Sequence, residues 1–169
     1  MLEFDKKGYL KPYQIIKTDL QIFQQFFVEN FELSETRLAI FSDFFDFIQD
    51  FKKLICPNFT IWLDGSFVSN KLNPNDLDMV VFVDYHIYES KIDLIESNFN
   101  NLRTTKKYIF LDVYTIRVYP ETHFFHFIYQ MDKVYWNDWF SKTRLNDQRK
   151  QNNKGFIQLT FKKNDSSEF

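Results

Sequence analysis

The sequence predicts an α/β (α+β) domain in which a mixed β-sheet is flanked by helices, two of them towards the N-terminus. Three observations carry this reading. Short apolar runs rich in β-branched and aromatic residues occur at 59–63, 77–83, 108–116 and 156–161, each bounded by turn-forming or polar residues. Between and before them, apolar residues recur every three or four positions, the period of a helix face. One such helical stretch falls between two of the strand runs, an order that favours parallel pairing between those strands. At 169 residues the chain suits a single domain, 1–169, with a real core, and no internal repeat or linker divides it.

Residues 1–17 read as an irregular lead-in, with Gly8 and Pro12 marking turns. Thr18, with Gln21 three residues on, forms a capping box, and Leu20, Phe23, Phe26 and Phe27 then keep helical spacing through Asn30. Ser34 opens a second helix in which Leu38, Phe41, Phe44, Phe45, Ile48 and Phe51 make an apolar stripe; it ends before Pro57. The strand runs 59–63 and 77–83 come next, separated by a polar loop. Residues 84–89 are expected as a turn or loop, and Ile92, Ile95, Phe99 and Leu102 predict a helix over 90–102. The run 108–116 is a strand that Pro120 closes, and the aromatic segment from His123 to Phe140 is expected to be helical. A polar, basic stretch over 141–154 reads as a mobile loop, residues 156–161 as the last strand and 164–169 as a frayed tail.

The chemistry concentrates between the first two strand runs. The first ends in a small-residue turn, Gly65-Ser66, and the second begins with two carboxylates, Asp76 and Asp78. Side chains two residues apart on extended backbone point to one face, so these acids repel each other. A cation relieves that repulsion, and hard oxygen ligands suit Mg2+ or Mn2+. Gly65 lets the backbone approach a ligand closely, and the hydroxyl and N–H of Ser66 can hold a phosphate oxygen. Lys71, in the loop that follows, is the best single cation for a phosphate contact. Asp112 is a third candidate, because an acid inside a β-prone run is costly unless it is paired or bound to metal. An edge strand facing water is the bland alternative for Asp112.

Gly65-Ser66 followed by Asp76-Leu77-Asp78 at the head of an apolar strand resembles the signature of the polymerase-β-like nucleotidyltransferase superfamily. More narrowly, Asp64-Gly65-Ser66-Phe67-Val68 with Lys71, Pro74 and Asp76-Leu77-Asp78 resembles a group of small stand-alone bacterial nucleotidyltransferase-like proteins, along nearly the whole chain. The resemblance implies a nucleotidyltransferase-like fold in which the Gly-Ser turn binds an NTP, Asp76 and Asp78 hold divalent metal, and a third acid, here Asp112, completes the site. It also implies a reaction: transfer of a nucleoside monophosphate to an acceptor, with Asp76, Asp78 and Asp112 as catalytic residues. Small members of this kind include parts of toxin–antitoxin and phage-defence systems, with a partner protein or the 3′ end of tRNA as acceptor. A non-catalytic module that binds nucleotide or a partner on the same fold, antitoxin-like, is the alternative.

Composition bounds these readings. With 21 basic and 23 acidic residues the net charge is -2, so no overall field draws the protein to nucleic acid or to a membrane surface, and DNA is not an expected partner. A protein or small-molecule acceptor suits that balance slightly better than RNA. Against this, Lys142, Arg144, Arg149, Lys150 and Lys154 give the 141–154 loop a local basic character that a triphosphate or RNA would favour. The single cysteine, Cys56, excludes an internal disulfide and a Cys/His zinc cluster, and no apolar span is long enough for a bilayer, so a cytoplasmic location is expected. His123 and His126, three apart, are more readily structural than metal-binding, and His86 merits less attention still. The 22 phenylalanines point to a core built of interlocking rings.

Overall fold

A computed structural model describes residues 2–100, 107–145 and 148–163. Its architecture is mixed α/β. Among the described residues seven strands, β1 (Glu3–Phe4), β2 (Leu10–Lys11), β3 (Ile15–Lys17), β4 (Phe59–Asp64), β5 (Leu77–Asp84), β6 (Leu111–Val118) and β7 (Phe156–Phe161), accompany five α-helices: α1 (Leu20–Phe27), α2 (Arg37–Leu54), α3 (Tyr85–Ser90), α4 (Ile92–Asn98) and α5 (His126–Phe140). Five strands form one sheet in the order β3-β7-β4-β5-β6. β4 runs antiparallel to both β5 and β7, whereas β5 and β6, joined through α3 and α4, are parallel.

Several boundaries differ from expectation for identifiable reasons. The lead-in is not irregular: β1 pairs with β2, and β3 adds to the sheet edge beside β7. Only two or three residues long, these strands are too short for a period-two pattern to register. The cap of α1 is Asp19, whose carboxylate accepts from the Ile22 N–H at 2.7 Å, rather than Thr18. Residues 29–31, expected in the same helix, form a separate 3-10 turn. Helix α2 starts at Arg37, and Ser34 serves it from three residues upstream by accepting from the Arg37 N–H at 3.1 Å. Within the expected stripe Leu38 is exposed, while Ile40 and Phe47 are buried. Residues 84–89 do not loop, because Asp84 accepts from the His86 N–H and caps α3. Residues 101–106, including Leu102, and the 164–169 tail lie outside the described residues.

The two sheet faces are packed very differently. On one, Ile61, Leu63, Met79, Val81, Val83 and Val113 meet Phe44, Phe47, Ile48 and Phe51 of α2, with Phe23 and Phe27 of α1. Rings interlock here: Phe51 lies 4.8 Å from Phe59 and 5.1 Å from Phe99, centroid to centroid. On the other, Trp62, Val80, Phe82, Ile116 and Phe156 form a smaller cluster closed by Phe140, the one buried residue of α5. Because α5 leans over β6, the face of β4 and β7 beside it stays open as a groove of about 1300 Å3. Trp62, Phe82 and Tyr129 line it, with Lys133, Lys162 and Lys163 among its polar residues.

Candidate active site

The acids are brought together by strand register. Asp64 at the end of β4 pairs with Asp78 near the head of β5, and Asp78 pairs in turn with Asp112 near the head of β6. Residues directly opposite across neighbouring strands share a face. All three carboxylates therefore stand in one row, on the face that carries Trp62, Val80 and Tyr114 two residues further along the same strands. Because β5 and β6 are parallel and each bears its acid at the second residue, Asp78 and Asp112 fall at the same sheet end. Asp76 lies exposed just before β5.

Gly65 closes the opposite side. It adopts φ +83, and a Cβ placed on it would come within 2.1 Å of Asp78 Oδ2. Both the left-handed backbone and the carboxylate against its Cα demand glycine here. The turn and the acid, thirteen residues apart in sequence, are thus in direct contact.

Electrostatics follow from this crowding. Burial, then the charges of Asp76 and Asp112, push the Asp78 carboxyl up to about 6, and Lys154 and Arg144 pull the other way. Burial pushes Asp64 up to about 7 against the opposing attraction of Lys154. The Lys154 ammonium donates to Asp64 Oδ2 at 2.5 Å, with both side chains largely buried, while Asp64 Oδ1 is buried and has no hydrogen-bond partner among the described residues. Burial and the charges of Asp112 and Asp78 raise the Tyr114 hydroxyl, whose ring packs 4.6 Å from Trp136.

Helix α2 holds the backbone that presents these groups. The buried Arg37 guanidinium donates to the carbonyls of Phe67, Ser69 and Lys71, three points along the loop after Gly65-Ser66, and also to Phe27. It lies over the Phe31 ring at 3.8 Å. Ser34 and the Glu35 N–H donate to Asn73 Oδ1, and the Thr36 hydroxyl donates to the Pro74 carbonyl. Further along the helix, Asp43 accepts from the Phe110 N–H and Asp50 from the Tyr108 hydroxyl, which fixes the approach to β6. One helix thereby sets the path into both strands that bear the acids Asp78 and Asp112.

Not every candidate joins the cluster. The Lys71 side chain is exposed and makes no ion pair with the acids among the described residues; its carbonyl is what the structure uses. The Ser66 carbonyl accepts from the Ser69 hydroxyl at 2.7 Å, which tightens the turn. His123 lies ahead of α5, where Nδ1 accepts from the Phe125 N–H, and His126 is engaged by the Tyr119 carbonyl and Gln130, so the two do not share a helix face. The 141–154 loop is not a free flap: Lys142 bridges to Asn153, Lys7 donates to Asn152, and Lys154 reaches Asp64. Asp147, with Asn146, lies outside the described residues.

Three contributors have roles that the sequence does not show: Asp64, quoted only within the resemblance, Lys154, quoted only within the basic loop, and Arg37, not singled out at all. Asp64 stands at the end of an apolar run directly before Gly65, a position from which an acid could have been suspected. Lys154 carried no signal beyond its charge. Arg37 sits at the edge of an apolar helical stripe, where a cation is costly unless its donors are satisfied.

The site is one crowded carboxylate row beside a glycine turn. Residues 2–160 match the DUF6932 family, a family of unknown function. The chain belongs to this family. No curated protein and no solved structure gives a significant match. Membership in DUF6932 carries no activity with it, so the chemistry rests on the side chains themselves.

Those side chains suit a divalent cation by donor type. Their oxygens are hard, and Asp78 is crowded by like charges that a cation would relieve. They do not make a finished cage: among the described residues no three His, Cys, Asp or Glu side chains converge closely enough to hold an ion by themselves. Mg2+ is commonly held by one or two carboxylates together with substrate phosphates, and an incomplete protein cage is compatible with that mode.

Proposed function

We propose that this protein is a metal-dependent nucleotidyltransferase of the polymerase-β-like kind, which transfers a nucleoside monophosphate from an NTP to a protein, RNA or small-molecule acceptor. The observation that carries the reading is the register of Asp78 with Asp112 at one sheet end, with Gly65 pressed against Asp78. Asp76, Asp78 and Asp112 would hold Mg2+ or Mn2+, which when bound supplies neutralisation of phosphate charge and activation of the attacking group. Gly65 lets the turn close directly against Asp78, which keeps the turn beside the metal-binding acids, and Ser66 donates its hydroxyl and N–H to a phosphate oxygen. Lys71 extends from the loop that Arg37 fixes and supplies a further phosphate contact. Lys154 balances Asp64 so that the innermost carboxylate does not add to the repulsion around the nucleotide. On the same face the groove opens beyond Trp62, towards the sheet end opposite the acids, and leaves room for the distal part of an acceptor. A role in a toxin–antitoxin or phage-defence pair, with a partner protein or the 3′ end of tRNA as acceptor, belongs to this proposal.

One observation favours a second reading. The missing third ligand in any described cluster, with Lys154 already neutralising Asp64, suits a module that binds nucleotide or a partner protein without turnover. Incubating the protein with each radiolabelled NTP, Mg2+ or Mn2+, and RNA or cell lysate separates the two. Label transferred by the wild type and lost in Asp76→Ala/Asp78→Ala supports the transferase. Nucleotide binding by calorimetry with no label on any acceptor supports the module.

A further inference from the structure

Helix α5 fully buries Phe140 against the sheet, with Tyr129 and Trp136 partly buried beside it, yet its opposite side is as apolar as a core. Phe127, Ile128, Met131, Val134, Tyr135 and Trp139 are each between 39% and 68% exposed, and Phe124, just ahead of the helix, is 82% exposed. At 100° per residue the six helical positions form one continuous stripe centred opposite Phe140, and Phe124 lies in the turn before it. Within it 128, 131 and 135 keep the three–four spacing of a helix–helix seam. Asp138 is the one charge inside the stripe, and Lys142 pairs with it.

We propose that this stripe is a two-fold interface between two copies of the chain, with the α5 helices antiparallel and Met131 at the axis. Two features select a second copy as the occupant. First, the exposed part of these side chains amounts to on the order of 800 Å2 per copy, which is the area each partner contributes to a stable interface of standard size. Exposed apolar patches of that extent on a monomer mark interaction sites. Second, the stripe complements itself. An axis through Met131 sets Phe127 opposite Tyr135 and Ile128 opposite Val134, apolar against apolar at the centre, and sets Phe124 opposite the Asp138–Lys142 pair at each end of the contact. The methionine at the centre is unbranched and packs readily against its own copy. Near-absence of charge avoids the like-with-like repulsion that self-pairing otherwise creates.

Sedimentation equilibrium of the full chain at tens of micromolar tests this. The wild type is expected at dimer mass, and Met131→Glu at monomer mass, because the axis places two carboxylates face to face. Since the site is exposed, its melting curve is expected to keep a single cooperative transition. Phe127→Lys and Tyr135→Glu check the register independently of that variant. Each alone is expected to weaken the dimer, and mixing them is expected to restore it, since Lys at 127 of one copy then meets Glu at 135 of the other. A monomeric wild type overturns the proposal and leaves the stripe to a different protein. So does a dimer unaffected by Met131→Glu, or a mixture of the two charged variants that stays monomeric.

Discussion

The two faces of the central sheet are built from the same strands, one residue out of step, and they have opposite characters. Leu63, Leu77, Val113 and Ile157 point into a ring-packed core closed by α1 and α2. Their neighbours Asp64, Asp78, Asp112 and Gln158 point to the other face, where carboxylates crowd and a groove stays open. The closed face can supply stability because nothing in it needs to change partners. The α5 face holds ionisable groups at raised pKa and unfilled space, both of which cost stability and suit chemistry. Substitutions on the two faces should therefore separate activity from folding.

The largest effect is expected from Asp78→Ala. If the α5 face is catalytic, label transfer should fall by on the order of a thousandfold or more, since several charged groups act through this position. The melting temperature should stay at or above wild type, because removing a crowded carboxylate relieves repulsion. Unchanged transfer would break the comparison outright. On the closed face, Phe44→Ala should do the reverse: a loss of about 3–5 kcal/mol in denaturant unfolding, with transfer per folded molecule preserved.

Arg37 links the faces, since it belongs to the core helix but shapes the loop behind Gly65-Ser66. Arg37→Ala leaves four carbonyls without their donor and should cost about 3–4 kcal/mol by urea titration. Arg37→Lys should not rescue it, because an ammonium cannot span the carbonyls that the planar guanidinium reaches. A smaller loss, about 2–3 kcal/mol, is expected for Lys154→Met, which strands the Asp64 carboxylate in a buried site. Asp64→Leu combined with Lys154→Met should recover most of it; a double variant as unstable as the single one would show that the pair acts through something other than mutual neutralisation.

Sequence reading reached the sheet and missed its supports, for a physical reason. The strands at 59–64, 77–84 and 156–161 and the row position of Asp78 and Asp112 announce themselves through local composition. A β-prone run with one acid is visible wherever it falls. Lys154 meeting Asp64 across ninety residues, or Arg37 gathering carbonyls from a loop thirty residues away, leaves no local pattern, because each depends on how layers stack. The short strands β1 to β3 were illegible for a different reason: their place is set by pairing with β7 and with each other, and their own residues carry too few alternations to show it. The aromatic segment of α5 predicts a helix, but periodicity alone does not say that its richest face points outward.

The smallest effect expected is a pH dependence confined to the α5 face. Asp78 ionises at about 6 in the folded protein and at about 3.8 when unfolded. Between those values the folded state binds more protons than the unfolded one, so stability should fall as pH rises from about 4 to about 6, by about 2 kcal/mol, and then level off with respect to this group. Asp64, raised to about 7, extends the decline towards neutral pH. Melting temperatures across this range should show the slope in wild type and a shallower one in Asp78→Asn. The two proteins should converge near pH 4, and the Asn variant should be the more stable at pH 8. Added Mg2+ should raise the wild-type value mainly at the alkaline end, where the carboxylates are charged, and should do little for Asp78→Asn. A slope of the opposite sign would place Asp78 in a relaxed, well-paired setting and remove the electrostatic contrast between the faces.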